Sequence, residues 1–107
     1  MADSGRDDLG RIEEPSLLVL VSLSSGPKHG YAIQTDVAAF ADVQIGPGTM
    51  YAILPRLERL GLIEALEPED RKRPYRLTGE GAAYLQRELD RQGAIARIGL
   101  VRLGAER

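Results

Sequence analysis

Cysteine and tryptophan are absent from the 107 residues, and histidine and phenylalanine occur once each. Without cysteine there are no disulfides, thiolate metal ligands or thiol nucleophiles. The single histidine, His29, argues against a histidine-based metal cluster and against a Ser-His-Asp relay, which would leave no imidazole to spare. No apolar run approaches the roughly 20 residues that span a bilayer, and no basic-then-apolar export signal opens the chain. The expectation is a cytoplasmic protein with no membrane partner. Metal-ligand spacings, glycine-rich phosphate loops and nucleophiles with a base partner are missing as well, so neither an enzyme nor a cofactor is expected.

What is present fits one folded domain. Hydrophobic residues make up 43% and charged residues 28%, the balance of a globular chain rather than a disordered one. The net charge of −2 is unevenly spread. Residues 1–14 set Arg6 and Arg11 against Asp3, Asp7, Asp8, Glu13 and Glu14, a net −3, and leave the rest at +1. Within that near-neutral remainder, Arg71, Lys72, Arg73 and Arg76 gather in six residues. A local basic prominence of this kind can meet phosphates even on an acidic protein.

Residues 1–12, rich in Asp, Gly, Ser and Arg, read as a frayed leader. The run Leu17-Leu18-Val19-Leu20-Val21, then Leu23, conceals its own period. Acidic Glu13 and Glu14 ahead of it, Pro15 at a first-turn position and Gly26-Pro27 as a stop favour a helix. A second helix is predicted from Gly30 to Ala41, with Ile33, Val37, Phe40 and Ala41 on its buried face. Pro47 opens a third, whose stripe of Met50, Ile53, Leu54 and Leu57 ends at Gly61 in a left-handed cap. Its other face offers Gly48, Thr49, Ala52, Arg56 and Arg59, while Pro55 removes one hydrogen bond and should bend the axis.

Two short alternating segments follow, Ile63–Ala65 and Tyr75–Leu77, around a polar stretch bracketed by Pro68 and Pro74. They predict a two-stranded hairpin with a charged tip, too small to stand alone. Thr78 is a good N-cap for a long last helix towards residue 103, with Gly93 as a possible bend or break. Its later apolar stripe has no partner left in so short a chain, which points to a second subunit.

Helix, helix, helix, then a hairpin with a basic tip is the order of a winged helix-turn-helix. The expected fold is therefore mainly α with a small β-hairpin, plus a C-terminal dimerisation helix. Residues 13–78 would form the DNA-binding domain and 79–107 the pairing segment. A slim helix with small residues at its start can enter the major groove, and the tip can supply cations to the backbone.

The blocks Gly26-Pro27-Lys28-His29-Gly30-Tyr31, Pro47-Gly48-Thr49-Met50-Tyr51, Leu57-Glu58-Arg59-Leu60-Gly61-Leu62-Ile63 and Tyr75-Arg76-Leu77-Thr78-Gly79-Glu80-Gly81 resemble the PadR family of bacterial transcriptional regulators. The resemblance covers about residues 15–90. It implies a repressor-type homodimer on a palindromic operator, of the family's smaller size class, in which one long helix does the pairing. It also implies a small apolar or aromatic effector, seated between the first helix and the paired last helices. One departure stands out: family members often carry proline directly after the tyrosine of the third helix, where this chain has Ala52, its proline coming at Pro55.

The expected DNA-contacting residues are His29, Tyr31, Pro47, Gly48, Thr49, Tyr51, Ala52, Arg56, Arg71, Lys72 and Arg73. For His29 a packing role beside Gly30 competes with phosphate contact. Tyr31 and Tyr51 would bury their rings and present hydroxyls. Leu17 and Leu20 of the first helix, with Leu85, Leu89, Ile95, Ile98 and Val101 of the last, are the expected dimer interface. The competing function is a winged-helix module that docks another protein and never touches DNA, motivated by the acidic pI of about 5.4 and the acidic leader.

Overall fold

The computed structural model describes residues 12–104. In chain order the elements are α1 (Glu14–Leu23), β1 (Lys28–His29), α2 (Gly30–Ala41), α3 (Pro47–Arg59), β2 (Ile63–Ala65), β3 (Pro74–Leu77) and α4 (Gly79–Leu103). The expected leader and residues 105–107 lie outside the described residues, with one correction. Ile12 is buried in the core, and its N–H donates to the Tyr84 hydroxyl at 3.2 Å.

The ambiguous apolar run is α1. It buries Ser16, Leu17, Val19, Leu20, Ser22 and Leu23, nearly its whole circumference, because α2, β3 and α4 cover it from different sides. The buried Ser22 hydroxyl donates to Asp36 at 2.7 Å, and Lys28 Nζ donates to Ser25 Oγ at 2.8 Å and lies 4.0 Å from the same Asp36 carboxylate. That cluster fixes α1, α2 and the strand between them in one arrangement.

On α2, Ile33 and Val37 enter the core as expected, but Phe40 is 46% exposed. Ala41 and Val43 already pack beneath the last turn, so the Phe40 ring stays at the rim. Gln34 Nε2 reaches across to the Ile45 carbonyl at 2.6 Å and holds the turn into α3.

Met50, Ile53, Leu54 and Leu57 of α3 are all buried. The helix passes through Pro55 unbroken; Pro55 and Tyr51 are both exposed, so the carbonyl deprived of its N–H partner is open to water. At its end the Gly61 N–H meets the Glu58 carbonyl and the Leu62 N–H meets that of Leu57, both at 3.0 Å, with Gly61 at φ 79°. This is the paired closure that needs glycine.

The sheet has three strands in the order β1-β3-β2, all antiparallel, not the two expected. β1 escaped notice because two residues display no period. It exists because the chain between α1 and α2 lies along the free edge of β3, pairing Lys28 with Tyr75 and His29 with Pro74. Across the other edge Glu64 faces Arg76, and the two form an ion pair.

Thr78 caps α4: its hydroxyl accepts from the Gly81 N–H at 2.9 Å and donates to the Gly61 carbonyl at 2.7 Å. One side chain thus joins the start of α4 to the end of α3. Thr78→Ala is expected to cost about 1–2 kcal/mol in a urea titration, and Thr78→Ser to recover most of it. The first turns of α4 bury Gly81, Tyr84, Leu85 and Glu88 against the body. Glu88 accepts from Arg91 at 2.9 Å, which raises the guanidinium pKa. No break occurs at Gly93; the helix continues to Leu103 and stops at Gly104, φ 77°.

Candidate nucleic-acid interface

Because α3 sends every large apolar residue of its stripe inward, its first two turns present Pro47, Gly48, Thr49, Tyr51 and Ala52 to solvent. Small side chains there let the helix backbone approach a surface closely. Arg56, one turn further, is half-buried and lines a cleft of about 340 Å³ with Glu13, Pro15, Ser16, Thr49, Ala52 and Ile53. It therefore stands at the flank of the exposed face, against the start of α1, rather than at its centre. Arg59 is exposed in the last turn, where a cation suits the helix dipole.

The two tyrosines depart from expectation. Tyr51 is 80% exposed and Tyr31 74%, so whole rings and not hydroxyls alone are offered. Met50, Ile53 and Ile33 occupy the adjoining core positions, which leaves the rings no room inside. Tyr31 borders a second cleft, of about 310 Å³, with Gln34, Thr35, Ala38, Gln44 and Ile45, and so sits beside the turn that leads into α3. His29 is half-buried, paired through its backbone with Pro74 and acting as the N-cap residue of α2 without a side-chain cap bond. That placement ties it to the sheet and favours packing.

The hairpin tip is a two-residue turn. Glu69 and Lys72 exchange both backbone hydrogen bonds, at 2.6 and 2.8 Å, around Asp70 and Arg71. Asp70 and Arg71 have φ of 50° and 66°, the pair of positive values that a type I′ turn requires and that Asn-Gly supplies most cheaply. Each non-glycine residue there costs roughly 1 kcal/mol. Arg71 and Lys72 are exposed, with no side-chain partner among the described residues. Arg73 differs: its Nη1 donates to the Leu66 carbonyl at 3.0 Å. The bracketing prolines gave no hint of this side-chain bond.

The expected interface residues divide in two. Leu17, Leu20 and Leu85 are buried within the protomer's own core, their apolar surface already covered. Leu89, Ile95, Ile98 and Val101 are exposed along α4, joined by Leu100 and Leu103.

Three helices in series, the third with a lean exposed face, followed by a hairpin whose cations stand at its tip, define a winged helix-turn-helix, the architecture of a DNA-binding transcriptional regulator. The sequence profile of the Transcriptional regulator PadR-like family matches residues 19–87, and the chain belongs to that family, whose members are regulators rather than enzymes. Over 78 residues it is 41% identical to an uncharacterized 37.1 kDa protein in transposon TN4556 of Streptomyces fradiae, covering 73% of this chain and 23% of the relative. The chain thus spans about a quarter of that relative's length.

Among solved structures, it resembles a PadR family transcription regulator from Clostridium difficile with a TM-score of 0.73 and 24% identity, over 82% of this chain and 95% of the other. A transcriptional regulator from Clostridium thermocellum gives 0.69 and 25%, over 82% and 94%. RosR of H. salinarum gives 0.68 and 22%, over 90% and 97%. No helix among the described residues is long and apolar enough to cross a membrane.

Proposed function

We propose that two copies of the chain pair through the exposed half of α4 and bind a two-fold site in duplex DNA, each inserting the start of α3 into the major groove. Pro47, Gly48, Thr49, Tyr51 and Ala52 face the base edges and the groove walls, with Arg56 at the flank. Arg71 and Lys72 reach phosphates from the wing tip, and Tyr31 lies along the backbone on the opposite side of α3. The two recognition helices stand about one helical turn apart, roughly 34 Å. A dimer seated across a promoter excludes other proteins from it, so repression in the cytoplasm is the expected outcome.

One observation carries this reading: the exposed, small-residue start of α3 shares the protein with a wing that spends backbone strain to hold a cation at its tip. A docking module for another protein has no use for that cost. The test is a salt-titrated binding measurement on duplexes selected from a random library. The double variant Arg71→Ala/Lys72→Ala is expected to weaken binding to all sequences alike. It should flatten the slope of log K against log salt by about 1.8, or 0.9 per lost phosphate contact. Absence of saturable, salt-sensitive binding by the parent protein would return the chain to the docking alternative.

A further inference from the structure

We infer that Arg73 is a positioning residue for the wing: its guanidinium supplies the hydrogen-bond donor that Pro74 lacks. The functional half of this inference rests on the DNA-binding reading above; the structural half does not.

The register carries the argument. β2 and β3 pair Ile63 with Leu77, Glu64 with Arg76 and Ala65 with Tyr75. One step further, Leu66 stands opposite Pro74, and the Leu66 N–H donates to the Pro74 carbonyl at 2.8 Å. In an antiparallel pair of this kind the two residues exchange both bonds, the second running from residue 74 back to the Leu66 carbonyl. Proline has no N–H to give. The Leu66 carbonyl instead accepts from Arg73 Nη1 at 3.0 Å. The side chain of the residue before proline thus completes the pair that proline leaves half made.

This substitution falls where the hairpin is weakest. Between the Leu66–Pro74 pair and the Glu69–Lys72 tip lie two residues on one strand, Glu67 and Pro68, and only Arg73 on the other. That is the two-against-one count of a bulge. Pro68 also lacks a donor, and among the described residues no backbone hydrogen bond crosses this gap. The Arg73 bond is therefore what couples the tip to the sheet. It sets the direction in which Arg71 and Lys72 project, and it turns one of the three neighbouring cations across the hairpin while the other two face outward.

The test compares Arg73→Ala with Arg73→Ala/Pro74→Val, since valine restores a backbone N–H opposite Leu66. Without DNA, amide hydrogen exchange at Leu66, Glu69 and Lys72 is expected to quicken about tenfold in Arg73→Ala and to return to within about threefold of the parent in the double variant. With DNA, Arg73→Ala should lower affinity about fivefold without changing the salt slope, the double variant should recover the affinity, and Arg71→Ala should flatten the slope by about 0.9. Unchanged exchange in Arg73→Ala, or exchange that the added N–H does not restore, overturns the inference. A slope lowered by about 0.9 in Arg73→Ala overturns it too, and marks Arg73 as an ordinary phosphate contact. If no variant or parent binds DNA, the functional reading fails while the exchange measurements still decide the wing.

Discussion

Gly81→Ala is expected to cost the fold about 3 kcal/mol or more, enough to leave a large fraction of so small a protein unfolded. Gly81 sits in the first turn of α4, directly over the Leu62 carbonyl. A methyl group there would overlap that oxygen outright and stand 2.9 Å from both the Leu62 carbonyl carbon and Leu77 Cδ1. The carbonyl cannot retreat freely, because it accepts from the Thr78 N–H at 3.0 Å. Nor can the helix, since the Gly81 N–H is held by the Thr78 hydroxyl. Relief requires separating α4 from the end of α3, which opens the core around Leu62, Tyr84 and Leu85. Gly79→Ala, two residues earlier on the same helix and facing open space, is the control and should stay within about 0.5 kcal/mol of the parent. Urea denaturation of both variants checks the pair. Equal midpoints would show that the approach of α4 to Leu62 is not tight in solution.

The second large effect is on assembly. Ile95→Glu/Ile98→Glu is expected to give monomers in sedimentation equilibrium and to weaken operator binding about 100-fold or more. The two isoleucines are 55% and 52% exposed on a helix whose inner turns are committed to the protomer. Full burial of such a side chain is worth about 1.5–3 kcal/mol relative to exposure, so each has roughly half of that still to gain. A two-fold interface counts every contact twice. Carboxylates in the same places forfeit this gain and add the cost of burying unpaired charge. Binding weakens because the second recognition helix is no longer delivered at high effective concentration. Both positions lie outside the core, so circular dichroism and the unfolding midpoint of the monomer should not change. A dimer that persists would move the pairing surface elsewhere.

Much of the fold could be read from local chemistry. The α3 stripe from Met50 to Leu57, the closure at Gly61 and the Thr78 cap depend only on residues a few positions apart. Their spacing therefore already expresses the hydrogen bonds and contacts they make. Other outcomes turned on long-range neighbours. Phe40 has the right spacing for the core and stays at the rim because Ala41 and Val43 came first. The rings of Tyr31 and Tyr51 lie outside for the same reason. Leu17 and Leu20 had been expected at a dimer interface, yet α2, β3 and α4 bury them within one copy.

The wing shows both kinds of information in a few residues. Its position, basic charge and prolines were plain in the chain. The left-handed Asp70–Arg71 turn and the use of Arg73 in place of a missing proline donor emerged only from the register between β2 and β3.

By itself, then, the amino-acid order determined where helices start and stop, which face of each is apolar, and the order of elements that marks the family. These follow from rotations of 100° per residue and from hydrogen bonds closed within one turn. Tertiary structure alone decided which apolar residues found cover, that a third strand exists at β1, and which of three adjacent cations is turned inward. Each of those depends on groups far apart in the chain competing for the same space or the same hydrogen bond.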